Sequence, residues 1–516
     1  MAEVSTFRHA MDRPLPSLRA SLDDFLAELA SLQYRHAAGF AQDLPLRALY
    51  EHSPEISSPE AFAAVTESIP KAQAKGDLLN VRRLRLLRDF IATQLEEALA
   101  APAAEALAQL EARSRLAVDD QTLSLGEALG QLPQEPERGR RALLESATGG
   151  FLWDNKGRYG DRREASFRVT EQLRASSYTA LREDVSGIEL KPLVEAAAET
   201  LRLTEDAYRD VLAYVLKKVE PTLRPLPSGH ARRHDLQAAT QVSWLSGFFR
   251  REDTLPAVIR WLGEWGFHPS AEGRIRLDDE ERPGKASRPF TASVRVPGEV
   301  RLVFQRRAGL DALGSLLHEY GHALHHAHVS DQLPLELRRL EDASVTEAFA
   351  TLFERLLTDE EWLKRYLRQP SATARDASRM AAFQALTVLR RHCAKLPYEL
   401  SLYEHGPSPE RAEEYADAQR RALFVEAHPG FFLFDVDPQL YVTRYLRAWA
   451  LETRLTAHLT GRFNEDWWRN PTAGRWLQGL FARGGTDDAE TLAQEISAKA
   501  LTLPEAGARL VALLDR

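Results

Sequence analysis

Residues 310–329 read LDALGSLLHEYGHALHHAHV. Leu313, Leu316, Leu317, Ala323 and Leu324 recur at helical spacing, so the stretch predicts an amphipathic helix. Inside it, residues 318–322 read His-Glu-Tyr-Gly-His. On a helix, His318 and His322 are four residues apart and share a face. Two imidazoles so placed can grip one zinc ion at about 2 Å each. Glu319 is turned about 100° from His318. It cannot easily bind the same ion, but its carboxylate can reach a water held there. This HExxH pattern is the arrangement for metal-assisted hydrolysis with Glu319 as general base. Gly321 is expected to leave room for a substrate beside the metal.

Catalytic zinc takes three protein ligands and keeps one position open. No third His follows in the HExxHxxGxxH pattern. His325 lies about 10 Å further along the axis than His318 and suits a channel or supporting role. His326 and His328 read as solvated or structural. Three candidate carboxylates lie in LRRLEDASVTEAFATLFERLL: Glu341, Asp342 and Glu347, placed 19, 20 and 25 residues after His322. The spacing admits each of them. Glu347 is preferred because Ala348, Phe349, Leu352 and Phe353 put it on a helix starting near Ser344, and a helix holds a ligand more rigidly than a turn. Asp342 or Ser344 suits that helix's N-cap. A non-catalytic helical protein with a structural zinc is the bland alternative. Such sites close all four positions, usually with Cys, whereas this one offers two His, a Glu and an unused base.

HEYGHALHH followed by VTEAFATLFE resembles the thimet oligopeptidase and oligoendopeptidase F family of zinc peptidases. The resemblance implies His318, His322 and Glu347 as ligands of one zinc per chain, with Glu319 as the base. Glu354 stands where the family has a second Glu. Upstream, LDDEERPGKASRPFTASVRVPGEVRLVF is similar to the family's Arg-x-Gly-Lys segment and the strands after it. Downstream, YVTRYLRAWALE and NPTAGRWLQGLFARGGTDDAE are similar to its Tyr-rich helix and Asn-Pro/Gly-Gly tail. The match covers about 275–500. It implies a mainly α fold, two helical halves around a deep channel, and short unstructured peptides as substrates. One departure concerns the oxyanion donor. The family's Gly-Tyr-rich loop is replaced by HPGFFLFDVDPQLYVTRYLRAW, which leaves Tyr445, then Tyr441 or His428, as donors. A zinc carboxypeptidase of similar architecture is the competing reading. Arg444 could then capture a terminal carboxylate, although that group's Glu-Ser-Gln-Ser stretch is replaced by Glu347-Ala348-Phe349-Ala350.

The rest of the chain bounds these readings. A length of 516 residues allows several subdomains, and 44% hydrophobic with 28% charged residues is a soluble globular composition. A net charge of −8 argues against nucleic acid as the main partner. The single cysteine, Cys393, rules out an intrachain disulfide, suits a reducing compartment and reads as a buried small residue. The N-terminal stretch has no apolar signal core, and no window suggests a membrane span. A cytoplasmic enzyme is expected, and a monomer is compatible. Helical periodicity marks 21–36, 91–115 and 191–219. Pro102 is expected to kink or split the second of these, and Thr204 to start a helix. A break at 224–230 divides an N-terminal helical region, 1–225, from a catalytic region, 226–516. Alternation predicts strands at 274–277, 291–296 and 299–304, the last two forming a hairpin. An open edge of that sheet, about 274–305, could pair with a peptide.

Overall fold

The computed structural model describes residues 14–221, 223 and 231–515. The break placed at 224–230, and with it the boundary at 225, lies outside the described residues. The chain is mainly helical, with only short sheets. The helix expected at 21–36 runs Pro14–Ala37. The periodic stretch 191–219 forms two helices, Leu190–Leu203 and Glu205–Val219, the second starting just after Thr204 as expected. The Thr204 hydroxyl donates back to the Thr200 carbonyl at 2.8 Å and caps nothing.

The expected break at Pro102 is absent, since Leu78–Ala112 is one helix running through it. Pro102 is exposed while Ala100 and Ala101 are buried. The ring therefore projects into solvent, and packing against helices Pro59–Ala74 and Lys156–Gln172 carries the helix past it. Tertiary contact here outweighs the local cost of proline.

The three-stranded sheet has Glu299–Val303 at its centre. It pairs parallel to Ile275–Asp278 and antiparallel to Phe290–Arg295. The hairpin is thus present, with Phe290 opposite Val303 and Arg295 opposite Glu299. Part of the Phe290–Arg295 edge is covered. Arg339 donates to the Val294 carbonyl at 3.1 Å, and Arg295 pairs with Asp23 and Asp24 of the Pro14–Ala37 helix. The Arg-x-Gly-Lys segment anchors the loop between strands. Lys285 is buried and its ammonium donates to the Asp278 and Glu280 carbonyls at 2.9 and 2.7 Å.

Behind the sheet lies the helix that carries HExxH, Leu310–His328, here called the motif helix. Leu313, Leu316, Leu317, Ala323 and Leu324 are all buried, as their spacing predicts. They belong to the largest core, which also holds Trp261, Trp265, Phe267, Phe353 and Trp362. Across the motif helix packs a second helix, Ala343–Glu354, which in turn packs on Val442–Phe463. Gly321 is buried at the first of these crossings. A β-carbon there would lie 2.6 Å from the Ala350 Cα. Gly321 therefore serves helix approach, and the expectation that it clears space for a substrate is corrected. Gly314, two turns earlier, faces side chains instead: a β-carbon there would lie 3.2 Å from Leu357 Cδ1 and 3.7 Å from Glu354 Cγ.

Glu336 ties the N-terminal helices to this core. It is buried and pairs with Arg19 and Arg83, the latter at 3.0 Å. Burial would raise its carboxyl, but its own backbone amide, Arg19 and Arg83 hold it below the usual value. A depressed folded-state value stabilises above the unfolded carboxylate value, about 4.3, and the benefit is lost as pH falls. Glu336→Gln is expected to flatten the acid limb of a stability–pH curve; an unchanged limb would reject this role. Gly321→Ala adds overpacking worth about 1–3 kcal/mol, against about 1 kcal/mol of helix propensity returned. It should lower the urea midpoint and weaken metal binding. Wild-type values of both would show that the crossing can widen freely.

Candidate metal centre

The crossing of the two helices brings His318 and His322 over Glu347. Their ligating atoms all lie within 4.8 Å of one another. Nε2 of His318 is 3.4 Å from Glu347 Oε2, and Nε2 of His322 is 3.6 Å from it. That oxygen is buried and has no hydrogen bond. The gaps exceed a good hydrogen bond, about 2.7–3.2 Å. They suit three atoms that each lie about 2.0–2.2 Å from a shared tetrahedral ion. A borderline divalent ion such as zinc fits this donor set of two imidazoles and one carboxylate.

Each ligand is held by a second residue, the usual requirement for a firm site. Nδ1 of His318 donates to Glu354 Oε2 at 3.3 Å, and Nδ1 of His322 to Thr346 Oγ1 at 3.0 Å. Both bonds leave Nε2 free for a metal. The Tyr441 hydroxyl donates to Glu347 Oε1 at 2.9 Å. Burial would raise the Glu347 carboxyl, but the His322 charge and the adjacent His318 ring hold it well below the usual range. Burial works against charge on His318 too, yet Glu347 and Glu354 outweigh it and raise its value well above normal.

The other two carboxylates from the spacing argument lie elsewhere. Asp342 caps the Ala343–Glu354 helix by accepting from the Ser344 amide at 2.9 Å. It also accepts from Arg447 at 3.0 Å. Glu341 accepts from His326 Nε2 at 2.9 Å, on the far side of Thr346 from the HExxH pair. His325, His326 and Glu341 form a second group of potential ligands. His326 is thus engaged rather than solvated. His328 donates to its own helix at the Leu324 carbonyl.

Glu319 is half-buried and borders a 210 Å³ cavity also lined by His318, Glu354 and Arg288. Its backbone carbonyl accepts from Thr291 of the edge strand at 2.9 Å, so helix and strand are fixed together at the base. Tyr445 stacks on Tyr441 edge-on, with centroids 5.0 Å apart, and lies flat on His392 at 4.8 Å. Burial, then the charge of Glu347, raises its phenol above the normal value, so it stays protonated. Its hydroxyl has no hydrogen bond among the described residues, whereas that of Tyr441 is committed to Glu347. His428 is not brought to this cluster. Its Nδ1 accepts from the Gly430 amide, and its ring packs on Gly149. Arg444 pairs with Asp89 at 2.8 Å and with Asp342 at 3.5 Å. Cys393 is buried and its thiol is pushed up to about 12 by burial, which makes it inert.

The sequence reading assigned no role to Thr346 or Glu354 as supports. A Thr one residue before a ligand has no signature in one dimension. Only the antiparallel crossing turns its hydroxyl to His322.

No protein-family model and no curated protein sequence matches the chain. Solved structures do match its fold. PZ peptidase A with inhibitor 2 aligns at TM-score 0.68 and 12% identity, covering 99% of this chain and 97% of that one. A protein described as oligoendopeptidase F aligns at 0.65 and 14%, covering 99% and 96%. Another so described, from Bacillus anthracis str. Ames, aligns at 0.59 and 14%, covering 89% and 83%. At such identities the likeness establishes the fold, which is the large helical one that the resemblance implied. No helix among the described residues is long and apolar enough to cross a membrane.

At one equivalent of added zinc, Glu347→Gln should lose most of the bound ion while Glu341→Gln keeps it. The reverse result would move the third ligand. Tyr441→Phe removes a second-layer bond and should weaken zinc about 10–100-fold; unchanged affinity by competition with a chromogenic chelator would leave Tyr441 a packing residue only.

Proposed function

We propose that this chain is a zinc-dependent peptidase that cuts short unstructured peptides. The observation that carries the proposal is the buried, unpartnered Glu347 Oε2 facing Nε2 of both HExxH histidines at 3.4 and 3.6 Å, with Glu319 beside them on an open cavity. His318, His322 and Glu347 would hold the ion. Bound there, zinc supplies a Lewis acid for the scissile carbonyl and lowers the pKa of a water towards 7.

The chain's own groups do the rest. Glu319 accepts a proton from the attacking water and later delivers it to the leaving amine. Tyr445, with its hydroxyl uncommitted and protonated, donates to the oxyanion as charge develops, a contribution of about 3 kcal/mol in comparable sites. Tyr441 orients Glu347, and Glu354 and Thr346 orient the imidazoles. The uncovered part of the Phe290–Arg295 edge, joined to Glu319 through Thr291, is placed to align an extended backbone. The names of the structures sharing this fold support peptides as the substrate class. A channel between helical halves would restrict them to short, unfolded chains, and the reading includes clearance of such fragments in the cytoplasm.

Internal cleavage is favoured over removal of C-terminal residues. The carboxypeptidase reading needs a free cation for the terminal carboxylate, and Arg444 is already shared between Asp89 and Asp342.

The test is a library of peptides five to twenty residues long, incubated with zinc-loaded protein with and without chelator, and read by mass spectrometry. Chelator-sensitive internal cuts are expected; terminal trimming alone would select the exopeptidase, and no cutting would reject the proposal. Glu319→Gln should abolish hydrolysis while retaining zinc, and His322→Ala should lose both. Tyr445→Phe should lower kcat about 10²–10³-fold at unchanged zinc content, and His428→Ala should leave kcat near wild type. Equal kcat for Tyr445→Phe and wild type would remove it as the donor.

A further inference from the structure

The motif helix carries His325 and His326 beyond the first pair, and Glu341, just before the Ala343–Glu354 helix, meets them. His325, His326 and Glu341 place one donor atom each within 4.8 Å of the others, with the same composition as His318, His322 and Glu347. Glu341 Oε1 lies 2.9 Å from His326 Nε2, and its Oε2 lies 3.6 Å from His325 Nδ1. We propose that His325, His326 and Glu341 form a second site for a borderline divalent ion such as zinc or cobalt, filled after the HExxH site and weaker than it.

Three observations carry this. The donor set of two imidazoles and one carboxylate selects zinc, cobalt, nickel or copper over magnesium or calcium. His326 is oriented from behind, because its Nδ1 is 2.6 Å from Ser293 Oγ. That hydroxyl accepts from Nδ1–H once Nε2 binds a metal, the pattern in which a ligating His is held through its other nitrogen. The site is also reachable. Glu341 and His326 border a 160 Å³ cavity beneath Leu26, Leu29 and Gln33, and Glu341 borders a further cavity of 360 Å³.

The weaker affinity has a structural cause. In the described state Thr346 Oγ1 lies 3.0 Å from His322 Nδ1 and 3.1 Å from His325 Nδ1. One hydroxyl thus accepts from His322 and donates to His325. Metal at His325 Nδ1 needs that lone pair, so the Thr346 proton must turn away. The other nitrogen of His325, Nε2, is buried with no hydrogen bond and faces the rings of Phe349 and Phe481. It cannot offer a substitute donor. Filling the second site therefore gives up two hydrogen bonds, Thr346 to His325 and His326 to Glu341, while the first site gives up none.

The experiment uses the full chain, stripped of metal and titrated with Co²⁺. Visible d–d absorption and equilibrium dialysis with elemental analysis report uptake. Wild type is expected to take one equivalent tightly and a second about tenfold or more weakly. His326→Gln and Glu341→Gln should each lose the second equivalent and retain the first, and the retained first equivalent shows that the fold is intact. His318→Ala should lose the first and keep the second. Ser293→Ala, which alters no ligand, should weaken only the second, by about 10-fold or more. A single equivalent in wild type, removed by His318→Ala, would overturn the second site and leave the peptidase reading standing. A second equivalent that persists in both His326→Gln and Glu341→Gln would place it elsewhere and overturn the proposal. No uptake at all would overturn both.

Discussion

The close crossing of the motif helix and the Ala343–Glu354 helix governs the rest of the site. Two helices ordinarily pack with axes about 8–10 Å apart, set by the side chains between them. Here Gly321 removes one of those side chains where the Ala350 backbone arrives. The carboxylate of Glu347 then lies between two imidazoles one turn apart. Spacing on a single helix cannot supply that third ligand, because residues there diverge around the axis. The large aromatic core behind the motif helix keeps the crossing fixed.

Placing a carboxylate under two histidines has an electrostatic cost that the surroundings distribute. A buried charge needs partners. Glu347 is served by Tyr441 and the two imidazoles. Glu354, beyond them, bonds His318 and lies 3.7 Å from Arg355. At the other end of the same helix, Asp342 is held by Arg447, Arg444 and the Ser344 amide. The Val442–Phe463 helix thus contributes Tyr441 at its start, Tyr445 one turn on, and two arginines. It supplies both the support of the ligand and a free phenol beside it. The N-terminal helices reach the same region through Asp89 and Arg82, so the two ends of the chain share one charged junction.

Much of this was legible in one dimension. The motif helix, the ligand helix, the hairpin and the buried cysteine each follow from local periodicity or a short spacing, and the structure places them where those signals point. Asp342 as a cap is a local hydrogen bond two residues long. The failures share a cause. Pro102 was read by its local cost, and neighbouring helices override it. Gly321 was read as clearance for a substrate, and it is clearance for another helix. His326, solvated or structural by its local setting, is structural, because Glu341, fifteen residues away, meets it. In each case a segment distant in sequence decides the residue's role.

The sequence by itself determined the chemistry on offer. Two His and a Glu within five residues of a helix offer the groups that metal-assisted hydrolysis would use, because helical geometry alone fixes which of them share a face. Tertiary structure decided which groups complete it. Spacing left Glu341, Asp342 and Glu347 all within reach of His322. The antiparallel crossing gives Glu347 to the HExxH pair, Asp342 to the helix cap and Glu341 to His325 and His326. It likewise gives Tyr441 to Glu347, leaves Tyr445 free and places His428 in another cluster. Those assignments depend on which atoms meet across helices, and a linear spacing carries no information about that.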